Sequence, residues 1–324
     1  MKLKTFFDFC SGIGGGRLGL ERAGLKCVGS SDTSRLANTT YKLLFPKSKD
    51  KNWGNLKRLI NKDLPTFDLL IAGFPCQTFS VIGRQKGTLD KRGQLIYFLI
   101  EIIIKNKPKV IILENVKGLI THDKGKTFSD ILKKIEDAGY TTIFKVLNSM
   151  DFGIPHMRQR VYIIGFRNNL DLDLNKFKWP QPIPRKHIKN FLIPKTNLIT
   201  DKDFDWFVNN YLHNEKNNNK FQLDKILKKN YQILDTRMSD LRIYSNRMPT
   251  LRAQRDGIYY TYKGQLYFLT GEEALLFQGF NKWHIKKITT LVTNRHLLMQ
   301  AGNAMTASVV QGLANSILEL FNEE

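Results

Sequence analysis

Three short stretches of the sequence carry residues suited to chemistry on an electron-poor carbon. The first is GFPCQTFS (73–80), where an apolar run ends in Gly73, Pro75 fixes the chain direction and Cys76 follows. A thiolate is the strongest nucleophile among side chains for a soft carbon, although a lone cysteine is more often a small buried apolar residue. The second is Glu114-Asn115-Val116 at the end of the apolar run VIILE. A carboxyl group there can hydrogen-bond or protonate a ring nitrogen; the plainer reading is a solvated carboxylate at a strand end. The third is GIPHMRQRVYIIG (153–165), in which Arg158 and Arg160 stand two residues apart at the entrance to a strand. Both arginines are candidates to face a substrate, with one entering the site while the other pairs elsewhere.

A fourth stretch, DFCSGIGGG (8–16), joins a first strand to a first helix. Glycines there let the backbone approach a ligand, and free N–H groups at a helix start favour polar or anionic groups. The spacing is not that of the nicotinamide fingerprint. Asp32, ending a second short strand, is a candidate to accept from a ribose diol, although taken alone it reads more readily as an exposed surface aspartate.

These residues need strands that end on one edge. Strand-like runs at 3–9, 26–30, 67–73, 109–114, 140–147 and 160–166 alternate with helix-like stretches at 34–44, 94–105 and 127–138. That order predicts an α/β fold with a mainly parallel, doubly wound sheet, and ligands in such sheets bind at the strand C-termini. From about residue 168 the chain turns rich in Asn, Lys and Asp, with four prolines between Trp179 and Pro194, and shows no sustained period. Short strands are predicted over 231–270, and a helical pattern returns over 296–321. The expected organisation is a catalytic domain of 1–168 plus 291–324, and a smaller, largely β or irregular domain of 169–290.

The 324 residues include 51 Lys+Arg against 29 Asp+Glu, a formal charge of +22. Such a field draws polyanions, nucleic acid first among them. With 42% hydrophobic residues the chain is no disordered tail. Three cysteines (Cys10, Cys27, Cys76) form neither a disulfide framework nor a CxxC pair, and the N-terminal apolar run breaks at Asp8. A soluble protein of a reducing, cytoplasmic compartment is the expectation, with no membrane partner.

DFCSGIGGG, GFPCQTFS, ENV, RQR, RMPTL (247–251) and QAGNAMT (300–306) occur in the order found in the C5-cytosine DNA methyltransferases, and the sequence resembles the compact prokaryotic restriction–modification members. The resemblance spans nearly the whole chain except about 168–235, where that family keeps its variable target-recognition region. It implies an S-adenosylmethionine-dependent Rossmann-like fold, double-stranded DNA as partner, S-adenosylhomocysteine as product and no metal. It further implies a monomer associated with DNA in a prokaryotic cell, with a cognate restriction endonuclease acting separately.

By resemblance, Cys76 is the nucleophile, Glu114 the carboxyl group on cytosine N3 and Arg160 the arginine near O2. Cofactor contacts fall on Cys10, Gly12, Ile13, Gly15, Asp32, Thr33, Asn55, Leu56, Pro75, Leu95, Asn303 and Ala304. Gln77 to about Gln94 matches the loop that closes over DNA, with Ser80 and Arg84 as candidate contacts. Arg237, Arg242, Arg247, Arg252 and Arg255 flank RMPTL as candidates for guanine edges and phosphates. The sequence departs from the family pattern at Cys10 (commonly Phe), Thr33 (commonly aromatic or apolar), Asn55 (commonly Asp) and His156 (commonly Gln). Two rivals keep the fold: a methyltransferase of the same chemistry acting on transfer RNA, and a catalytically silent DNA-binding homologue. Intact Cys76, Glu114 and Arg160 argue against the silent form. A nicotinamide-dependent oxidoreductase is more distant, since it leaves PCQ and ENV without a role.

Overall fold

The computed structural model describes residues 2–46, 51–75, 95–195, 197–217, 220–238, 240–253 and 256–322. The chain divides into two compact units. One comprises Met1–Phe152, Gln159–Pro182 and Ala304–Glu324, the other Gly153–Arg158 and Ile183–Asn303.

The first unit holds β1 (Thr5–Phe9), α1 (Gly15–Arg22), β2 (Lys26–Ser31), α2 (Arg35–Leu44), α3 (Leu56–Leu59), β3 (Leu69–Gly73), α4 (Leu95–Asn106), β4 (Val110–Val116), α5 (Lys126–Asp137), β5 (Tyr140–Asn148) and β6 (Gln159–Arg167). The strands form one sheet in the order β2-β1-β3-β4-β6-β5. β2, β1, β3 and β4 pair in parallel, whereas β6 runs antiparallel to both its neighbours. The predicted mainly parallel sheet is thus present, with one reversed strand inserted beside β4.

Both faces of this sheet are covered, so its strands read as continuous apolar runs. Successive side chains go to opposite faces. Phe6, Leu69, Ile71, Val110 and Ile112 enter one core cluster with Val310, Leu313 and Ile317. Phe7, Leu70, Ala72, Ile111 and Leu113 enter the other, with Leu99 and Ile103 of α4 and Ile131 and Ile135 of α5.

The second unit is built on an antiparallel sheet of β7 (Gln232–Asp235), β8 (Arg242–Ser245), β9 (Ile258–Tyr262) and β10 (Gln265–Phe268), ordered β10-β9-β7-β8. The short helices α6 (Asp201–Phe207) and α7 (Leu223–Leu227) supply Phe207 and Ile226 to a core with Leu234, Tyr259 and Leu266. Further along lie α8 (Gly271–Leu276), α9 (Lys282–Ile288) and α10 (Asn294–Asn303), after which the chain returns to the first unit in α11 (Ala307–Asn322). Among the described residues no helix is long and apolar enough to cross a membrane.

Two features differ from expectation. The cuts fall at 182/183 and 303/304 where 168/169 and 290/291 were expected, and Gly153–Arg158 belongs to the second unit. Leu170 is buried against the catalytic sheet with Phe177 and Trp179 packed beside it, so the chain stays with that sheet past residue 168. Leu297 of α10, in turn, lies against Gly271 of α8. The helical pattern of 296–321 is also two helices, broken at Ala304–Thr306. Thr306 bonds Ser149 through their hydroxyls (2.8 Å), and its carbonyl accepts from Val309 N–H at the start of α11.

Candidate active site

β3 and β4 run side by side with Gly73 in register with Glu114. A Cβ on Gly73 would come within 2.8 Å of Met305 Cε and 3.4 Å of Glu114 Oε2, so glycine keeps this strand end open toward the carboxylate. Beyond it, Asn115 Nδ2 donates to Phe74 O (3.2 Å) and fixes the stem leading to Pro75. Cys76, Ser80 and Arg84 lie outside the described residues.

Glu114 faces Tyr162 across β4 and β6, and Arg160 sits two residues away on the same face of β6. That diagonal brings Arg160 Nε to 3.0 Å from Glu114 Oε1, with side chains only 13% and 10% exposed. Arg160 Nη1 also donates to Gln159 O (2.9 Å). The contact is an ion pair in which Oε1 makes no hydrogen bond among the described residues, so a shielded carboxyl group is left available to donate a proton to a ring nitrogen.

Arg158 does not join them. Its enclosed guanidinium donates to the carbonyls of Leu251 (3.4 Å) and Gly302 (3.2 Å), tying backbone segments of the second unit together. A substrate-facing role for Arg158 is therefore withdrawn. His156, one of the departures, is fully buried, with Nδ1 3.1 Å from Phe277 O and Nε2 accepting from Leu251 N–H (3.1 Å). It holds the chain around RMPTL in place.

At the other edge of the sheet the glycine-rich turn wraps the ends of β1 and β2. Gly12 and Gly14 have positive φ (53° and 84°), and Asp32 Oδ2 accepts from Gly12 N–H (2.8 Å) while Oδ1 accepts from Ser34 N–H (2.7 Å). Cys10, also at positive φ, lies half-buried here. Burial first, then Asp32 and Asp8, pushes its thiol far above the ordinary cysteine value, so it stays protonated and unreactive at neutral pH. Ile13 is buried, Thr33 and Asn303 are exposed, Pro75 and Leu95 are half-buried and Ala304 is buried. Asn55 caps α3 through Lys57 N–H (2.9 Å), and Leu56 is committed to the core.

Sequence reasoning missed the residues that brace this turn. Asn52 Oδ1 accepts from the N–H groups of Asp32 (3.1 Å) and Gly54 (3.0 Å), and Asn38 Nδ2 donates to Asp32 O (3.0 Å). The short Asn-Trp-Gly stretch is a turn signal that pointed to the first of these. Beneath the turn, Arg17 Nη1 donates to Tyr41 Oη and Tyr41 Oη to Asp8 Oδ2, both at 3.3 Å, within the buried interior. Ser11 Oγ is enclosed without a partner, a polar atom available to a bound ligand. Open glycine backbone, an aspartate and a hydroxyl fit the polar parts of a nucleoside-bearing methyl donor.

The turn tolerates no extra atom at its helix start. A Cβ on Gly15 would sit 2.3 Å from the Met305 carbonyl oxygen. Gly15→Ala is expected to force backbone apart and to cost about 1–3 kcal/mol of stability, with a matching fall in donor affinity. Chemical denaturation and calorimetry with S-adenosylhomocysteine measure the two effects.

The five arginines near RMPTL do not form one set. Arg237 is internal: Nε and Nη2 bind the two Asp235 oxygens at 2.7 and 2.8 Å, Nη1 donates to Thr250 O (2.7 Å), and the pair is 3% and 5% exposed. Its candidacy as a DNA reader is withdrawn, because its donors are consumed within the unit. Arg242 and Arg247 are exposed, the latter 5.6 Å from the Tyr244 ring centroid. Arg252 lines a cavity of about 540 Å³ with Asp256, Phe268, Thr270 and Asn294. Arg255 lies outside the described residues.

Burial would raise the Asp235 carboxyl, but the Arg237 bonds outweigh it and hold it below the ordinary carboxylate range. A depressed folded-state value means that the pair stabilises above about pH 4, the unfolded aspartate value, and fades as pH falls through the folded one. Arg237→Ala strands the buried carboxylate and is expected to cost about 3–5 kcal/mol at neutral pH. A urea titration at pH 7 and again at low pH should show that deficit shrinking with acid.

Comparison with known proteins agrees with this geometry. Residues 4–319 match the sequence profile of the C-5 cytosine-specific DNA methylases. The chain is 35% identical to Type II methyltransferase M.HaeII of Haemophilus aegyptius over 333 aligned positions, covering 99% of this chain and 95% of that one. Identity to Type II methyltransferase M.NgoBI of Neisseria gonorrhoeae is 44% over 176 residues, spanning 54% of this chain and 53% of that relative. The crystal structure of the S. pombe Dnmt2 methyltransferase superimposes with a TM-score of 0.68 at 21% identity, covering 99% of this chain and 100% of that one, a likeness of fold. A profile match over almost the full length, together with 35% identity to a relative aligned over nearly its whole length, places the chain in the C-5 cytosine-specific DNA methylase family.

Proposed function

We propose that the protein recognises a short duplex sequence, turns one cytosine out of the helix and methylates it at C5, as the modifying half of a restriction–modification system. The observation that carries the catalytic part is the Glu114–Arg160 pair at the β4 edge, in register with the Gly73 stem that leads into Cys76. Cytosine C5 is a poor nucleophile while the ring is aromatic. Addition of the Cys76 thiolate to C6, with the Glu114 carboxyl group donating a proton to N3, gives an enamine with electron density on C5. Arg160 keeps the Glu114 carboxylate oriented and reaches toward O2. C6 is stacked within a duplex, so the base must leave the stack at a cost of a few kcal/mol.

S-adenosylmethionine, the family's methyl donor, supplies an electrophilic methyl group on sulfonium. The Gly12–Gly16 turn, Ser11 and Asp32 would hold it. C5 would take that methyl group as the donor's S–CH3 bond breaks, and loss of the C5 proton to a solvent base, with expulsion of the Cys76 thiolate and return of the N3 proton to Glu114, would then restore the ring. For recognition, exposed Arg242 and Arg247 remain the candidates among the described arginines, with Arg252 beside them at the cavity.

The test is methyl transfer from labelled donor to duplex DNA and to transfer RNA in parallel, with the DNA product mapped for 5-methylcytosine. Label in DNA at one short motif supports the reading. Label in RNA alone, or in neither, rejects it.

A further inference from the structure

α9 and the loop after it carry a surface that the catalytic reading leaves without a role. Ile285 and Ile288 anchor the helix, while Trp283 stands 60% exposed and Leu291 68% exposed. Lys287 Nζ lies 3.5 Å from the Trp283 ring centroid, as residues four apart on one helix face allow. Lys282, Lys286 and Arg295 are exposed around them. None of these four cations forms an ion pair among the described residues.

This arrangement works against the helix itself. Lys282 is the first residue of α9, where the helix dipole disfavours a cation, and it stands four residues from Lys286, where like charges repel. The first turn holds no acidic residue, and the sequence has no Asp or Glu between Glu273 and Glu319. Lys286 and Lys287 alone would suit the C-terminal end of a helix. Lys282 and the bare indole would not. Cations set against local electrostatics, beside exposed apolar surface, match a polyanion that also offers apolar area.

We propose that the α9 face, Lys282, Trp283, Lys286 and Lys287 with Leu291 and Arg295, is a second contact for duplex DNA, engaging phosphates and sugars outside the target sequence. The proposal rests on the duplex-DNA reading above. It makes the footprint longer than the recognition site and supplies affinity without sequence preference.

The experiment compares the parent with the triple variant Lys282→Gln/Lys286→Gln/Lys287→Gln, and separately with Trp283→Ala and Trp283→Phe. Each is titrated against a duplex barely longer than the mapped target and against one several helical turns longer, across a salt series. The triple variant should lose about tenfold or more in affinity for the long duplex, with the slope of log affinity against log salt reduced by two to three units, about one per phosphate contact. Affinity and turnover on the short duplex should stay at the parent level. Trp283→Ala should weaken long-duplex binding and Trp283→Phe restore it. A thermal midpoint equal to or above the parent's shows that the variants fold.

Unchanged long-duplex binding overturns the proposal, and so does equal weakening on both duplexes, which would put the patch at the target itself. Loss of binding to phosphatidylserine vesicles with DNA binding intact assigns the surface to lipid and also overturns it. A parent that binds neither duplex refutes the DNA reading instead, so the two failures are told apart.

Discussion

Cys76→Ser is expected to abolish methyl transfer while duplex binding and S-adenosylhomocysteine binding persist. A hydroxyl at neutral pH supplies almost no oxyanion, whereas a thiol supplies a usable fraction of thiolate and a softer nucleophile for C6. The position of Cys76 in the chain gives the expectation its force. It comes three residues after Gly73, whose neighbour in register is Glu114, on a stem pinned by Asn115 at Phe74. Cys10 and Cys27 offer no replacement. The Cys10 thiol is held protonated by burial and two aspartates, and Cys27 is buried with its thiol donating to Gly29 O (3.4 Å). Single-turnover assays with labelled donor, beside a gel-shift titration, read the two halves. Turnover by the serine variant at the parent rate would remove Cys76 from the chemistry.

Glu114→Gln is expected to lower single-turnover methylation by about 10²–10⁴-fold, the span of a positioned acid–base group, with little change in duplex affinity. The amide keeps the size of the carboxyl group and an uncharged acceptor facing Arg160, so the variant should fold and the loss should fall in the chemical step. Glu114→Ala removes that acceptor as well and leaves a guanidinium only 13% exposed without its partner. It should therefore lose stability in addition to rate, by about 3–5 kcal/mol. If neither variant loses rate the carboxyl group does not act on the base, and if Glu114→Ala costs no stability its pairing with Arg160 carries no structural weight.

The edge that carries the candidate site was readable where Gly73 and Glu114 sit at strand ends. An apolar run followed by Gly73 or by Glu114 marks the end of a strand in a sheet covered on both faces, and parallel order puts such ends on one edge. The pairing of Arg160 with Glu114 follows from its place on β6, diagonal to Glu114, whereas Arg158 precedes that strand and escapes the shared face that regular alternation would have given the two arginines. What the sequence hid depends on contacts between distant segments. Leu170, Phe177 and Trp179 are spaced without a period, so nothing local reveals that they pack on the catalytic sheet. The apolar pattern of α10 runs into that of α11 unbroken, and the break between them reflects Met305 packing against Gly15 and Thr306 bonding Ser149.

Arg237 is the instructive case. In a loop-rich basic stretch it looked like a DNA contact, yet Asp235 stands two residues earlier, on the same side of an extended chain, and takes it inward. An acid at that offset is a signal worth weighing whenever an arginine cluster is assigned to nucleic acid. Asp32 shows the reverse. It was read as a ribose acceptor, and two of its lone pairs are already engaged by the turn, so it shapes the Gly12 loop as well as facing any ligand there.

The central claim, covalent attack by Cys76 on the target cytosine, is tested most directly by trapping. The parent protein is incubated with donor and a duplex carrying 5-fluorocytosine at the mapped target, then denatured and analysed by intact mass and peptide mapping. After methyl transfer fluorine cannot leave as a proton does, so the enzyme should remain bound through Cys76 in a denaturation-resistant adduct that carries the methyl group, and the Cys76→Ser variant should form none. Absence of the adduct under conditions where the unmodified duplex is methylated, or an adduct mapped to Cys10 or Cys27, would contradict the account.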